Sequence, residues 1–236
     1  PAFYRAPVAE LLSEGFGRER ARLVDPRRAM ERVVRAPLAS SPAGNDTVYL
    51  CAVDAQGNAC SLINSTFTGF GTGIVAGGCG LSLQNRGAGF SLDPRHPNRV
   101  EPRKRPYHTI IPAMATRGEE LVAAFGVMGG MMQPQGHVQV ASALWDDGLD
   151  PQAALDLRRF YIEDGLPDGR ILVEDSPGGA LDGLAARGHR VAAVSGAARY
   201  VFGLGQAILR ERDGRGHPVW WAGSDPRGDG CALGAW

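Results

Sequence analysis

Lysine is almost absent from this 236-residue chain: Lys104 is the only one, and arginine supplies the other 24 basic side chains. Schiff-base or lysine-nucleophile chemistry therefore has a single candidate. Net charge is missing too. The 25 basic residues are matched by 25 acidic ones, which removes the bulk attraction to phosphate that a nucleic-acid binder needs. Cysteine is sparse, and Cys51, Cys60, Cys79 and Cys231 show no C-x-x-C spacing. Zinc motifs, thioredoxin-type motifs and a disulfide scaffold are excluded on that ground, and buried reduced thiols are the expectation. No apolar run approaches the roughly 18 residues of a membrane span. The opening Pro1-Ala2-Phe3-Tyr4-Arg5 has neither an initiator methionine nor a secretory apolar stretch, so it reads as the middle of a longer chain.

What is present is an ordinary globular balance, 44% hydrophobic and 21% charged, in a length that suits one domain or two small ones. Residues 6–34 read as helical from the spacing of Val8, Leu11 and Leu12. Asp25-Pro26 interrupts the pattern and starts a second turn, with Asp25 as N-cap. The small, Pro/Ser/Gly-rich stretch 36–45 has the composition of an exposed linker. Thr47–Val53 is apolar nearly throughout, as a strand buried on both faces would be, and Ala59–Asn64 returns after a turn at 54–58. Gly69–Gly80 reads as loop. Ile110–Ala115 and Leu121–Phe125 form a strand pair ending at Gly129-Gly130, followed by helices over His137–Trp145 and Pro151–Arg159. Ile171–Val173, Arg190–Val194, Ala207–Leu209 and Val219–Ala222 are short strands. Paired strands with helices between the pairs indicate an α+β layered sheet.

A threonine opening a strand after a linker means little alone. Its neighbours give it weight. The run Asp46-Thr47-Val48-Tyr49-Leu50-Cys51-Ala52-Val53-Asp54 with Gly57-Asn58-Ala59 is followed in order by Phe70-Gly71-Thr72-Gly73-Ile74-Val75, Lys104-Arg105-Pro106, Gly129-Gly130 and Gly223-Ser224-Asp225-Pro226-Arg227. This series resembles the small subunit of the γ-glutamyltransferase family of N-terminal-nucleophile hydrolases.

The resemblance implies a four-layer αββα sandwich. Residues 1–46 would be the last helices and linker of a large subunit, and residues 47–236 the small catalytic subunit. It implies self-cleavage between Asp46 and Thr47, after which the new α-amine of Thr47 serves as the base for its own hydroxyl. That chemistry needs no Ser-His-Asp arrangement, no cofactor and no metal. The implied partners are a small-molecule amide substrate and the large subunit of the same precursor, with a homodimer of the heterodimer as a further assembly. Ser65 falls where the family has a hydroxyl supporting the nucleophile, and Gly129 and Gly130 fall where it places oxyanion-binding amides.

The substrate residues depart from the family's pattern. Phe67 stands where asparagine is usual. In Asn85-Arg86-Gly87-Ala88-Gly89-Phe90-Ser91, Gly89 replaces the carboxylate that holds a substrate ammonium, and Arg86 replaces a glutamine. His108-Thr109 replaces a pair of serines that hold a carboxylate. These changes point to γ-glutamyl or related, glutaryl-like, acyl groups, with Asp93 as an alternative source of the missing carboxylate. Arg103-Lys104-Arg105 reads as a solvated loop or structural anchor. Hydrolysis by water is favoured slightly over transfer to an amine. The contrasting reading is an inactive binding or structural relic of the same fold.

Overall fold

The computed structural model describes residues 7–30, 46–163, 169–175 and 179–234. The expected linker at 36–45 and the end of the first helical stretch lie outside them. Two short helices come first, α1 (Val8–Leu11) and α2 (Glu14–Ala21), the second capped by Ser13 Oγ accepting from Phe16 N at 3.1 Å. Asp25 caps a turn, its Oδ1 accepting from Arg27 N at 2.8 Å, and no helix follows over 26–30.

Strands β1 (Asp46–Val53) and β2 (Ala59–Phe67) form an antiparallel hairpin. Its turn is fixed by the Asp54 carboxylate, which accepts from the Gln56 and Asn58 amides. A second, fully antiparallel sheet has the order β3 (Ala113–Arg117), β4 (Glu120–Met128), β8 (Leu204–Arg212), β9 (Pro218–Ser224). Helices α3 (Met132–Trp145) and α4 (Pro151–Asp156) cover one face of it. A third sheet contains β5 (Phe160–Ile162), β6 (Ile171–Glu174) and β7 (Val191–Val194), with α5 (Ala180–Ala186) crossing between the parallel strands β6 and β7. The sequence reading omitted β5 and α5, both too short for a periodicity to declare itself.

Strand β4 organises the layers because its side chains alternate between two cores. Ala123, Phe125 and Val127 pack with Val140, Ala143 and Leu144 of α3, Ala154 and Leu155 of α4, and Ala207 and Leu209 of β8. Burial of each large side chain here contributes about 1.5–3 kcal/mol. Met128, on the other face, packs with Tyr49 and Ile63 of the hairpin. Glycine permits both approaches: a Cβ on Gly136 would lie 2.7 Å from Val127, and one on Gly126 would lie 2.7 Å from the Tyr49 ring. The result is helix on sheet on hairpin, an α+β arrangement.

Glutamine amides close exposed strand edges. Gln135 and Gln139, one helical turn apart on α3, each bond both the N–H and the C=O of a β5 residue, Ile162 and Phe160 respectively, at 2.9–3.1 Å. The match is metric: four helical residues rise about 6 Å, close to the two-residue repeat of a strand. Gln152 does the same for Ser224 at 2.9 and 3.0 Å.

Two expectations need correction. Cys60, Cys79 and Cys231 are exposed and Cys51 half-buried, all with free thiols. Each exposed one sits on the outer hairpin face, a glycine-rich loop or the closing segment, where no described residue covers it. Strand β1 is also not buried on both faces: Thr47 and Tyr49 point inward, whereas Val48 and Leu50 are 56% and 46% exposed.

The closing Asp225-Pro226-Arg227 belongs to a buried ionic lock. Arg159 lies 2.8 Å from Asp225, Arg227 lies 3.0 Å from Asp225, and Glu174 is paired with both Arg227 and Arg199. Asp225 also accepts from Gly205 N at 2.8 Å, and Glu174 from Arg159 N at 3.0 Å. Burial opposes charge on Glu174, yet the bonds from Arg227, Arg159 N–H and Arg199 outweigh it and hold the carboxyl below its ordinary value. A depressed folded-state pKa contributes stability above the unfolded value and loses it as pH falls through the folded value. Urea unfolding measured from pH 7 down past pH 4 is expected to show stability falling below about 4.5, and Glu174→Gln should lower stability at pH 7 while flattening that acid limb.

Candidate active site

The inward face of the hairpin sets the first two groups. Thr47 pairs with Ser65 in the β1–β2 register, and the Thr47 hydroxyl donates to Ser65 Oγ at 3.0 Å. Ser65 Oγ also accepts from Phe67 N at 3.0 Å. Both lone pairs of the serine are thus engaged, leaving its own proton as a donor. Thr47 is 8% exposed, and among the described residues no histidine or carboxylate is hydrogen-bonded to it. In the unbroken chain the nitrogen of Thr47 is an amide and no base.

The register breaks at this point. Asp46 faces Phe67 while Thr47 faces Ser65, so Thr66 is the extra residue of a bulge. Thr66 Oγ1 bonds Gly69 O at 2.7 Å. Phe67 takes φ of +83°, a left-handed backbone that costs a bulky side chain of order 1–3 kcal/mol. Three contacts hold it: the Ser65 bond, burial of the ring, and the Arg86 guanidinium 4.9 Å from the ring centroid.

Arg86 opens a short 3-10 turn, Arg86–Gly89, and is only 8% exposed. Its Nη1 donates to Thr109 Oγ1 at 2.8 Å, and burial pulls its pKa below the usual guanidinium value. The structure thus brings Phe67, Arg86 and Thr109 into one group beside the Thr47–Ser65 pair. Gly89 shares the Arg86 turn; its carbonyl accepts from Asn98 Nδ2 at 2.7 Å. His108 does not join the group: its ring is exposed and stacks on Tyr107 at 6.4 Å. Asp93 is exposed and turned to Arg95 at 3.3 Å. Lys104 is an anchor, its ammonium buried against Pro97 O at 2.6 Å and Glu101 at 3.1 Å.

Gly129 and Gly130 follow β4, the strand on which Tyr49 rests. Their φ values are +138° and +57°, which only glycine adopts readily. Their carbonyls start α3, accepting from Met132 N and Gln133 N at 3.0 and 3.1 Å. Among the described residues neither glycine N–H has an acceptor, so two amides stand free at the mouth of a 14-residue helix. Nearby, burial lowers the pKa of His137, whose Nδ1 lies 2.7 Å from Gln133 O. Burial also raises the Tyr49 phenol, which bonds Ser61 at 2.8 Å, and the Cys51 thiol. Among the described residues no three metal-ligating side chains gather, and no helix is long and apolar enough to cross a membrane. The sequence reading did not single out Arg159, Glu174 and Arg199 of the ionic lock, because in an arginine-rich chain only burial distinguishes them.

The inward face of the hairpin thus presents a buried hydroxyl pair, and the strand beneath it ends in two glycine amides. The Gamma-glutamyltranspeptidase family model matches residues 1–235, and the chain belongs to that family. It is 35% identical to the glutathione hydrolase-like YwrD proenzyme of Bacillus subtilis, over 99% of this chain and 43% of that protein. It is 32% identical to the oxamate amidohydrolase proenzyme of Klebsiella pneumoniae, over 84% of this chain and 37% of that one. The cephalosporin acylase structure from Bacillus halodurans superposes with a TM-score of 0.82 at 39% identity, covering all of this chain and 41% of that one. The fold is accordingly the αββα type, and the chain spans less than half the length of these relatives.

The strained backbone at Phe67 gives a direct check. Phe67→Val, whose β-branch opposes a left-handed φ, should lower the unfolding midpoint by several degrees. Phe67→Asn, which tolerates that conformation, should lose less, as read by thermal unfolding.

Proposed function

We propose that this chain carries the catalytic part of a self-processing threonine amidohydrolase or acyltransferase that acts on γ-glutamyl or related, glutaryl-like, amides through an acyl-enzyme. The 3.0 Å contact between Thr47 and Ser65 carries the reading. Division of the chain into 1–46, belonging to a large subunit, and 47–236, the small subunit, is part of it.

Activation begins with Thr47 Oγ attacking the Asp46 carbonyl carbon at the bulge. The Asp46–Thr47 C–N bond breaks, the hydroxyl proton passes to the departing nitrogen, and an ester remains. Water hydrolyses that ester, leaving the Asp46 carboxylate, a free Thr47 hydroxyl and a free α-amine. An α-amine has an ordinary pKa of about 7.7–8.0, so a useful fraction is unprotonated near neutrality. It takes the Thr47 proton as the oxygen attacks a substrate amide, then gives that proton to the leaving amine. The Gly129 and Gly130 amides receive the developing oxyanion, each such donor being worth about 2.7–4 kcal/mol. Water or a second amine then releases the acyl group.

Proenzyme relatives support a two-subunit product, and the remainder of the precursor is the proposed cover for Val48, Leu50 and Leu62, all exposed on the outer hairpin face. In the full-length precursor, Thr47→Ala should leave one band on a denaturing gel and abolish amide turnover. Ser65→Ala should slow both self-cleavage and turnover about tenfold, with Ser65→Thr restoring them. Turnover in the cleaved enzyme should rise with pH towards about 8 as the amine loses its proton. Full amide turnover by Thr47→Ala overturns the reading, and self-cleavage without turnover of any amide favours the inactive relic.

A further inference from the structure

Residues 7–30 lie upstream of the proposed cleavage, and burial in a core does not hold them to the catalytic part. None of them is buried, and the large apolar side chains Leu11, Leu12, Leu23 and Val24 are all exposed. Two hydrogen bonds tie the segment instead to one residue, Arg187, which ends α5 and stands 161 positions from Pro26.

Each side of the contact is a turn fixed by its own bonds. At the end of α5, Arg187 N donates to Leu184 O at 3.1 Å and Gly188 N to Ala185 O at 2.9 Å. The Arg187 carbonyl is left to accept from Ala29 N, at 2.6 Å. The Arg187 side chain folds back so that Nη1 donates to Gly183 O at 2.7 Å, and Nε donates across to Pro26 O at 3.1 Å. A planar guanidinium can bridge two carbonyls in this fixed geometry, whereas an ammonium on a flexible stem cannot. On the upstream side, Asp25 Oδ1 accepts from Arg27 N at 2.8 Å and Oδ2 pairs with Arg28 at 3.2 Å. That bend brings Pro26 O and Ala29 N to the same residue. A Cβ on Gly188, whose φ is +93°, would lie 3.9 Å from the Ala29 methyl, so the two turns are in van der Waals reach. Because both turns are already formed, little ordering entropy opposes their contact.

We infer that the Asp25–Ala29 turn and the Arg187–Gly188 turn form a latch that holds the upstream subunit on the catalytic one after the peptide between Asp46 and Thr47 is broken. The inference rests on the proposed cleavage at that peptide. No group in the latch belongs to the candidate site, so breaking the peptide leaves its bonds unchanged. At the site itself, strand pairing offers the upstream chain only the bridge from Asp46 to Phe67. The chain from Ala29 to Asp46 can span at most about 60 Å, so the latch also sets how far the new chain end can travel. Its bonds run to neutral carbonyls, not to carboxylates, and added salt therefore screens them little.

The test uses the self-cleaved full-length protein, immobilised by a tag on the catalytic subunit and washed with graded urea while release of the upstream subunit is followed on a denaturing gel. Arg187→Ala and Ala29→Pro, which remove the two bonds from opposite sides, should each speed release about tenfold. Arg187→Lys should behave like Arg187→Ala, and Ala29→Gly, which keeps its N–H, should stay near the wild type. Combining Arg187→Ala with Ala29→Pro should add little to either change, since both break the same latch. The difference from the wild type should persist in 1 M salt, about ten times the ionic strength at which exposed ion pairs are already screened. The extent of self-cleavage and amide turnover before release should stay within about twofold. Release at the wild-type rate by both Arg187→Ala and Ala29→Pro would overturn the inference. So would an equal loss of thermal stability by these variants in the uncleaved Thr47→Ala protein, which would make the contact a general support of the fold. If the wild-type chain stays whole, the cleavage reading fails; a protease site placed in the linker 36–45 then supplies the break, and the same release assay still decides the latch.

Discussion

The Tyr49 ring resting on Gly126 is the contact on which the arrangement depends. No side chain fits between them, because even a methyl group at 126 would lie 2.7 Å from the ring. The hairpin is thereby pressed onto β4 in one register. Since side chains alternate along a strand, seating Tyr49 inward also seats Thr47 inward. The same β4 runs on into Gly129-Gly130, so one close contact couples the strand that opens at Thr47 to the strand that ends at the two glycines. Gly136 makes a matching contact on the far side, where α3 closes on Val127. Glycine at two places on neighbouring elements thus sets the spacing of three layers.

Charge is handled in two opposite ways. Around Asp225 and Glu174 the buried ions are mutually satisfied by ion pairs and by backbone groups, which ties the closing segment to β6, β8 and the end of α4. Such a cluster adds less net stability than its bonds suggest, because desolvation opposes them, but removal of one member leaves the others buried and unpaired. Around Arg86 the opposite holds: among the described residues its buried guanidinium meets the Thr109 hydroxyl and the Phe67 ring but no carboxylate. A neutral total charge conceals this asymmetry, because it counts residues and not their surroundings.

Backbone strain and the register break coincide at one pair of positions. Phe67 is left-handed, it faces Asp46, and its N–H is tied to the serine that holds Thr47. Strain of this size persists only where neighbouring contacts over-determine it. Here burial, a hydrogen bond and a stacked guanidinium supply them, all within reach of the peptide proposed to break.

Much of the sheet content was legible because the strands are apolar and bounded by Gly, Asp and Pro signals, as at Asp54–Asn58. The short β5 and α5 were not, since three residues carry no period and β5 is defined from outside by Gln135 and Gln139. Thr47, Ser65 and the two glycines were singled out through the family resemblance, which also implied that Ser65 supports Thr47. The physical reason was not legible: eighteen residues separate the two hydroxyls, and only a hairpin register brings them together. The sequence by itself determined which reactive groups are available, a lone hydroxyl strand opening, a pair of glycines and an arginine in place of a neutral residue, because residue chemistry is local. Tertiary structure alone decided that the buried Arg159 and Arg227 are paired with carboxylates and that Arg86, among the described residues, is not, because burial and counter-charge are set by residues far apart along the chain and adjacent only once it has folded.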